Sequence, residues 1–212
     1  MDIELVAEGL LFPEGPIAMA DGSVILTEIQ AAEAQPDHPD GKRRRWRRPA
    51  AVPTARPSVR TGRSMSQQWR QLPVHRHGRP QCARPTPPSH TGGSIQRVDI
   101  KTGAVTTLYT ECDGKRWSAP MTWCSTSRRG FWFTDHGCST PEGRKFGALY
   151  YALTDGSKIT RQRDHFVSPN GVGLSPDEKT VYMADTTLGR LWSFDIAEPG
   201  VLARRPASRQ AM

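Results

Sequence analysis

The chain of 212 residues carries 29 Lys and Arg against 21 Asp and Glu, a formal net charge of +8. That length accommodates one large domain with a sizeable buried core, and no apolar run is long enough to span a bilayer, so no membrane partner is expected. The start MDIELVAEGL carries acids where an export signal carries bases, and Cys82, Cys112, Cys124 and Cys138 form no CxxC pair, which together predict a reduced cytoplasmic protein.

The first predicted unit starts at Pro13, in PEGPIAMADGSVILTEI. Gly15 follows the Pro by two, Asp21 by eight, and a β-rich run starts at about plus eleven. This spacing predicts a short strand, an Asp-centred turn and an alternating second strand.

The next stretch breaks the pattern. Residues 43–84 hold twelve Arg and no Lys, Asp or Glu, so removing that tract from a total of +8 leaves the rest of the chain at −4. One reading is a basic arm whose fixed charge would neutralise nucleic-acid phosphates. The other comes from the codons. Those for VPTARPSVRTG, residues 52–62, can be read one nucleotide earlier as GPNGAAIGPDG, which restores Pro, Gly at plus two and Asp at plus eight. MTWCSTSRRG, residues 121–130, can likewise be read out of frame as NDLVFD followed by Gly, directly after Pro120. Two independent shifts that restore one repeat favour out-of-frame propeller blades over a nucleic-acid partner. The Arg-rich tract 43–84 is therefore expected to be disordered or in poor strands, and 121–129 to disrupt its unit. The tail from Ala203 is expected to be a third slip.

Further along, SIQRVDI (Ser94–Ile100) and AVTTLY flank a Lys-Thr-Gly turn, and FWFTD starts at Phe131, eleven after Pro120. PNGVGLSPDEKTVYMAD then repeats the first unit from Pro169, with Gly171 and Asp177 at the same offsets, and RLWSFDI supplies the next strand. Starts at 13, 53, 120 and 169 make about four units. Strands grouped in fours at such spacing predict an all-β domain over 1–212, either a β-propeller or an antiparallel sandwich.

The stretches GLLFPEGP, TGGSIQRVDIKTGAVTTLYTECDG, GFWFTDHG and SPNGVGLSPDEKTVYMADTTLGRLWSFDI resemble the gluconolactonase family, also called the senescence marker protein or regucalcin family. The resemblance covers roughly residues 3–30, 91–120 and 131–200. It implies a six-bladed β-propeller, here incomplete, with about four blade equivalents of which two are disrupted and with open edges that favour aggregation. It also implies hydrolysis of a small-molecule sugar lactone with one divalent metal ion, Ca, Zn, Mn or Mg, in the central channel.

Lactone hydrolysis needs a polarised carbonyl and an activated water, which one hard cation can provide. Hard cations take oxygen ligands, and the residue after each repeat Pro is placed to supply one. Those residues are Glu14 and Asn170, which match the family's metal-binding Glu and Asn. The family's third ligand, an Asp that is also the proposed proton carrier, has no counterpart in the sequence, so no catalytic residue is assigned. A pocket Asn of the family falls at Met121. Asp135 and Asp185 end second strands and read as turn or rim residues; His136 reads as structural; Trp132, Trp192 and Phe194 read as core. His75 and His77 lie in the Arg-rich tract and receive no role. The alternatives are a non-catalytic calcium-binding propeller and a scaffold for an Arg-rich nucleic-acid arm.

Overall fold

Period-two alternation of apolar residues dictates strands that bury one face or both. The computed structural model describes residues 13–18, 24–28, 33–37, 63–68, 92–99, 102, 104–140 and 143–204, and among these there is no helix. One three-stranded antiparallel sheet joins β1 (Pro13–Ala18), β2 (Val24–Glu28) and β3 (Glu33–Asp37). A second joins β4 (Arg63–Gln68), β5 (Ser94–Asp99) and β6 (Val105–Tyr109), followed by the small hairpin of β7 (Glu111–Cys112) and β8 (Lys115–Arg116). A four-stranded sheet contains β9 (Pro120–Ser125) and β10 (Gly130–Asp135). The hairpin of β11 (Cys138–Thr140) and β12 (Gly143–Lys145) interrupts it before β13 (Gly147–Leu153) and β14 (Ile159–Phe166) complete it. A second four-stranded sheet runs in sequence order through β15 (Pro169–Leu174), β16 (Thr180–Asp185), β17 (Arg190–Glu198) and β18 (Val201–Leu202).

Each large sheet is an up-and-down unit whose first strand begins at a repeat Pro, the arrangement of a propeller blade. Two expectations meet the structure differently. Most of the Arg-rich tract lies outside the described residues, but Arg63–Gln68 within it forms β4, where a unit starting at Pro53 would place its second strand. The stretch expected to disrupt the third unit instead forms its inner strand, Pro120–Ser125. The reason is visible in its burial. β9 and β15 share one pattern, buried at the first and fourth positions and half-buried between, and the fourth position carries Trp123 in one and Val172 in the other. Both strands thus place a buried Pro first and a buried apolar side chain fourth, and β9 keeps this pattern despite its different composition.

The core lies on both sides of the β9–β10–β13–β14 sheet. Phe131 and Phe133 face one way, with Trp123 and Tyr150, and meet Ile95, Tyr109 and Trp117 from the preceding segments. Trp132, Leu149 and Tyr151 face the other way and meet Val172, Val181, Met183 and Leu202 of the last sheet. Phe131, Trp132 and Phe133 are all fully buried, so this strand is wrapped on both faces as an inner blade requires. Trp132, Trp192 and Phe194 pack in the second cluster, as their alternation implied. Aromatic edges organise the contacts: Trp117 meets Phe133 edge-on with centroids 5.4 Å apart, and Phe133 stacks on Tyr150 at 5.0 Å. Glycine permits the closest approach. A Cβ on Gly147 would fall 2.1 Å from the Asp135 carbonyl oxygen and 2.6 Å from the Pro169 ring.

A repeated clasp fixes where each inner strand begins. Asp135 ends β10, is buried, and accepts N–H bonds from Ser118 at 3.1 Å and Ala119 at 2.6 Å, the two residues before Pro120. Asp185 ends β16 and does the same for the residues before Pro169, accepting from Val167 N–H at 3.2 Å, Ser168 N–H at 3.2 Å and the Ser168 hydroxyl at 2.9 Å. The residue after each Asp donates its N–H back across the junction, His136 to the Ala119 carbonyl at 2.8 Å and Thr186 to the Ser168 carbonyl at 3.0 Å. Both aspartates are thus structural, as their place at strand ends suggested. Burial alone pushes the Asp185 carboxyl up, but hydrogen bonds from Ser168, Leu188 and Val167 hold it below its ordinary range.

Two outcomes follow. Asp185→Ala should destabilise the fold by roughly 3 kcal/mol, since it orphans buried N–H donors, and urea unfolding measures this. Because the folded Asp185 carboxyl titrates lower than the unfolded one, its contribution is intact above the unfolded value near ~4 and is lost as pH falls through the folded value. The gap between the unaltered chain and Asp185→Ala should therefore narrow in acid. Gly147→Ala should lower the melting temperature by an amount equivalent to about 1–3 kcal/mol, because its methyl group collides with backbone and with Pro169.

Candidate functional site

One irregularity recurs in the three sheets that begin at a repeat Pro. Pro13 pairs with Glu28, Pro120 with Asp135 and Pro169 with Asp185. Within the next three positions the register then slips by one residue, before Ile17 pairs Ile25, Trp123 pairs Phe133 and Val172 pairs Met183. Each inner strand therefore carries a bulge near its start, between Glu14 and Ile17 in β1 and directly after the Pro in β9 and β15. In the first, Gly15 takes a positive φ of 57°. A bulge re-aims the side chains on it and takes them out of the regular alternation. The residue following the Pro is Glu14 in the first sheet, Met121 in the third and Asn170 in the last.

Asn170 is the best defined of these. Its backbone carbonyl accepts the buried Thr134 hydroxyl at 2.6 Å, which ties β15 to β10 of the neighbouring sheet. Its amide nitrogen Nδ2 donates to Thr186 Oγ1 at 3.2 Å. Its amide oxygen Oδ1 accepts a long bond from Thr122 Oγ1 at 3.4 Å. The amide is thereby oriented with nitrogen toward its own sheet and oxygen toward the inner strand next door. Thr122, Thr134 and Thr186 were not singled out from sequence. Thr134 and Thr186 flank the clasp aspartates in TDHG and ADTT, and that adjacency was the available signal.

Glu14 precedes the irregularity of β1, still in register with Thr27, and its carboxylate lies outside the described side chains. Glu14 and Asn170 each follow a repeat Pro by one residue, but only Asn170 lies inside the irregular stretch of its strand. An amide oxygen held by a neighbouring hydroxyl, joined by a carboxylate, is the donor chemistry that a hard divalent cation takes. Met121 departs from it, since a thioether is a soft ligand. Among the described residues no three His, Cys, Asp or Glu gather as a metal cluster, and both clasp aspartates are committed to backbone N–H groups. His75 and His77 lie outside the described residues.

The rim above Asn170 is built by the β11–β12 hairpin. Arg144, half-buried, donates Nε–H to the Val167 carbonyl at 2.6 Å, and its two terminal nitrogens reach Ser139 Oγ and the His136 carbonyl, each at 3.3 Å. His136 is half-buried beside it. Burial first, and the Arg144 charge second, hold its imidazole below the ordinary histidine range. An open groove of about 480 Å³, lined by Arg128, Asp177, Glu178 and Glu198 among others, lies at the turns leaving the inner strands. It shares no residue with the Asn170 cluster and sits at the opposite end of β15.

Comparison with known proteins matches this geometry to a family. The chain is 41% identical over 76 residues to lactonase drp35 of Staphylococcus saprophyticus, which is 35% of this chain and 22% of that protein. The corresponding protein of Staphylococcus aureus is 36% identical over the same length. The chain thus spans less than a quarter of the length of these curated relatives in alignment. Among solved structures, a putative gluconolactonase aligns with TM-score 0.69 and 16% identity, over 93% of this chain and 63% of the other. A gluconolactonase of Xanthomonas campestris aligns with TM-score 0.66 and 22% identity, over 93% and 62%. The calcium-binding protein regucalcin of Agrobacterium tumefaciens aligns with TM-score 0.61 and 19% identity, over 92% and 58%. At these identities the structures establish the fold. The model of the SMP-30/Gluconolactonase/LRE-like region matches residues 12–211, and the chain belongs to that family.

Proposed function

We propose that the chain has the scaffold of a metal-dependent sugar-lactone hydrolase, built as about four blades of a six-bladed propeller, with Glu14 and Asn170 as metal ligands. The observation that carries this reading is the Asn170 amide, turned by Thr186 so that its oxygen faces the neighbouring inner strand, with Glu14 one residue after the corresponding Pro of the first sheet. Family membership supports lactone hydrolysis as the reaction class.

In this reading, a bound divalent cation supplies Lewis acidity toward the ester carbonyl and lowers the pKa of water. The chain's own residues do the rest. Glu14 would contribute negative charge and Asn170 a neutral oxygen. Thr134 holds the Asn170 backbone through its carbonyl, and Thr186 prevents the amide from turning over. The clasp aspartates set the height at which each inner strand enters, and so the depth of the bulge residues. His136 stays uncharged at neutral pH through burial and the nearby guanidinium, so it adds no charge to compete with a cation. The Arg-rich tract is an out-of-frame remnant of blade sequence in this reading, and the nucleotide sequence around codons 43, 66 and 84 tests that directly.

A second reading, calcium binding without turnover, is favoured by one residue. Met121 occupies the β9 bulge position where an oxygen-bearing side chain would face substrate. The regucalcin likeness is compatible with it.

Acid release from gluconolactone by the purified chain, with Ca, Zn, Mn or Mg added in turn, separates the two. Metal-dependent release supports the hydrolase, and saturable calcium binding with no release supports the second reading. A ligand at 100 times its Kd stabilises the fold by about 2.7 kcal/mol, so metal should raise the melting temperature whether or not turnover occurs. Asn170→Ala should weaken that metal response by roughly tenfold in Kd or more, read by thermal shift. Met121→Asn, which places an amide at the β9 bulge, should raise kcat/KM for the lactone by about tenfold, followed by steady-state kinetics.

A further inference from the structure

The β11–β12 hairpin carries a guanidinium that forms no ion pair with a described residue. Among the described residues, the Arg144 guanidinium bonds to uncharged oxygens, the carbonyls of Val167 and His136 and the hydroxyl of Ser139. It forms no ion pair among the described residues, unlike Arg161, which pairs with Asp164 on β14. A guanidinium held by carbonyls keeps its full charge, and its planar fork retains N–H donors matched to a carboxylate. Half-burial strengthens such a charge relative to one in open water.

Its placement gives that charge an address. Arg144 anchors on Val167, three residues before Asn170, and on His136, two residues after Thr134, which binds the Asn170 backbone. The guanidinium therefore stands at the end of β15 where the Asn170 amide is held, and its field reaches the His136 ring beside it. Its bonds thus reach the segment that leads into β15 and the residue that follows β10.

We infer that Arg144 is the anion-binding side chain of this site and takes the carboxylate of a polyhydroxy acid. The inference rests on the hydrolase reading. There, water adds to the lactone carbonyl and the ring C–O bond breaks. One proton goes to the ring oxygen, which becomes a hydroxyl, and the other is lost from the new acid. The neutral ester thus becomes a carboxylate within reach of the rim. A bidentate Arg–carboxylate contact orients the acid end while leaving its hydroxyls free for other groups.

The test is calorimetric titration of the full chain, without added divalent cations, with sodium gluconate and with sorbitol as a neutral polyol of similar length. Gluconate should bind roughly tenfold more tightly than sorbitol. Arg144→Gln should erase that preference, Arg144→Lys should keep part of it, and sorbitol affinity should change less than about twofold in either. Equal binding of the two probes by the unaltered chain overturns the inference, and so does a preference that survives in Arg144→Gln. If Arg144→Gln fails to fold, the unaltered chain and Arg144→Lys decide the matter between them: an undiminished preference in Arg144→Lys overturns the bidentate contact. Lactone turnover measured alongside separates the two proposals. Turnover without a gluconate preference removes the role of Arg144 and leaves the hydrolase standing. An Arg144-dependent preference without turnover supports the carboxylate site and removes the hydrolase reading.

Discussion

The buried aspartate at the end of each second strand is the constraint on which the described fold depends. Asp135 and Asp185 each gather the backbone N–H groups that precede the next inner strand. An N–H buried without a partner costs about 1–3 kcal/mol, so the carboxylate fixes the approach of the chain to within hydrogen-bond tolerance. Everything downstream inherits that position: the repeat Pro, the bulge after it, and the side chain presented there. The site is a consequence of the clasp.

The second requirement is that neighbouring sheets pack face to face. The GFWFTD strand shows how short a sequence can meet it. Phe131 and Phe133 serve one interface and Trp132 the other, with all three fully buried. Large aromatic rings fill such wedge-shaped spaces at low entropic cost. Glycine does the complementary work at Gly147, where Asp135 and Pro169 come too close for any side chain. Clasp, wedge and close approach all meet around the start of β15, which is why Asn170 is the best-fixed residue of the site.

Around that fixed point the chemistry is uneven. Asn170 has an oriented amide, Glu14 follows the corresponding Pro of the first sheet, and Met121 follows that of the third with a soft, non-oxygen side chain. The strand carrying Met121 nevertheless folds, because Trp123 fills the buried position that blade packing demands. Foldability and function are thus separable along this strand. One buried aromatic satisfies the first, while the second depends on a half-buried neighbour that contributes little to packing. Arg144 is a half-buried charge at the rim, held by three bonds to neutral oxygens.

Spacing alone determined the strand order of the units at Pro13 and Pro169 and the place of Asp135 and Asp185 at strand ends, because period-two alternation and turn residues act locally; that both aspartates are buried clasps and not rim residues came from the tertiary structure. The same local reasoning expected residues 121–129 to disrupt their unit, since their composition departs from the repeat. Only the tertiary structure showed that the fourth position of the inner strand decides this, because burial against two neighbouring sheets is not a property of the strand by itself. It also supplied Thr122, Thr134 and Thr186 around Asn170 and the reach of Arg144 to Val167, contacts between residues 16 to 48 positions apart. Those contacts come from sheets stacked side by side, and a one-dimensional pattern carries no record of which faces will meet.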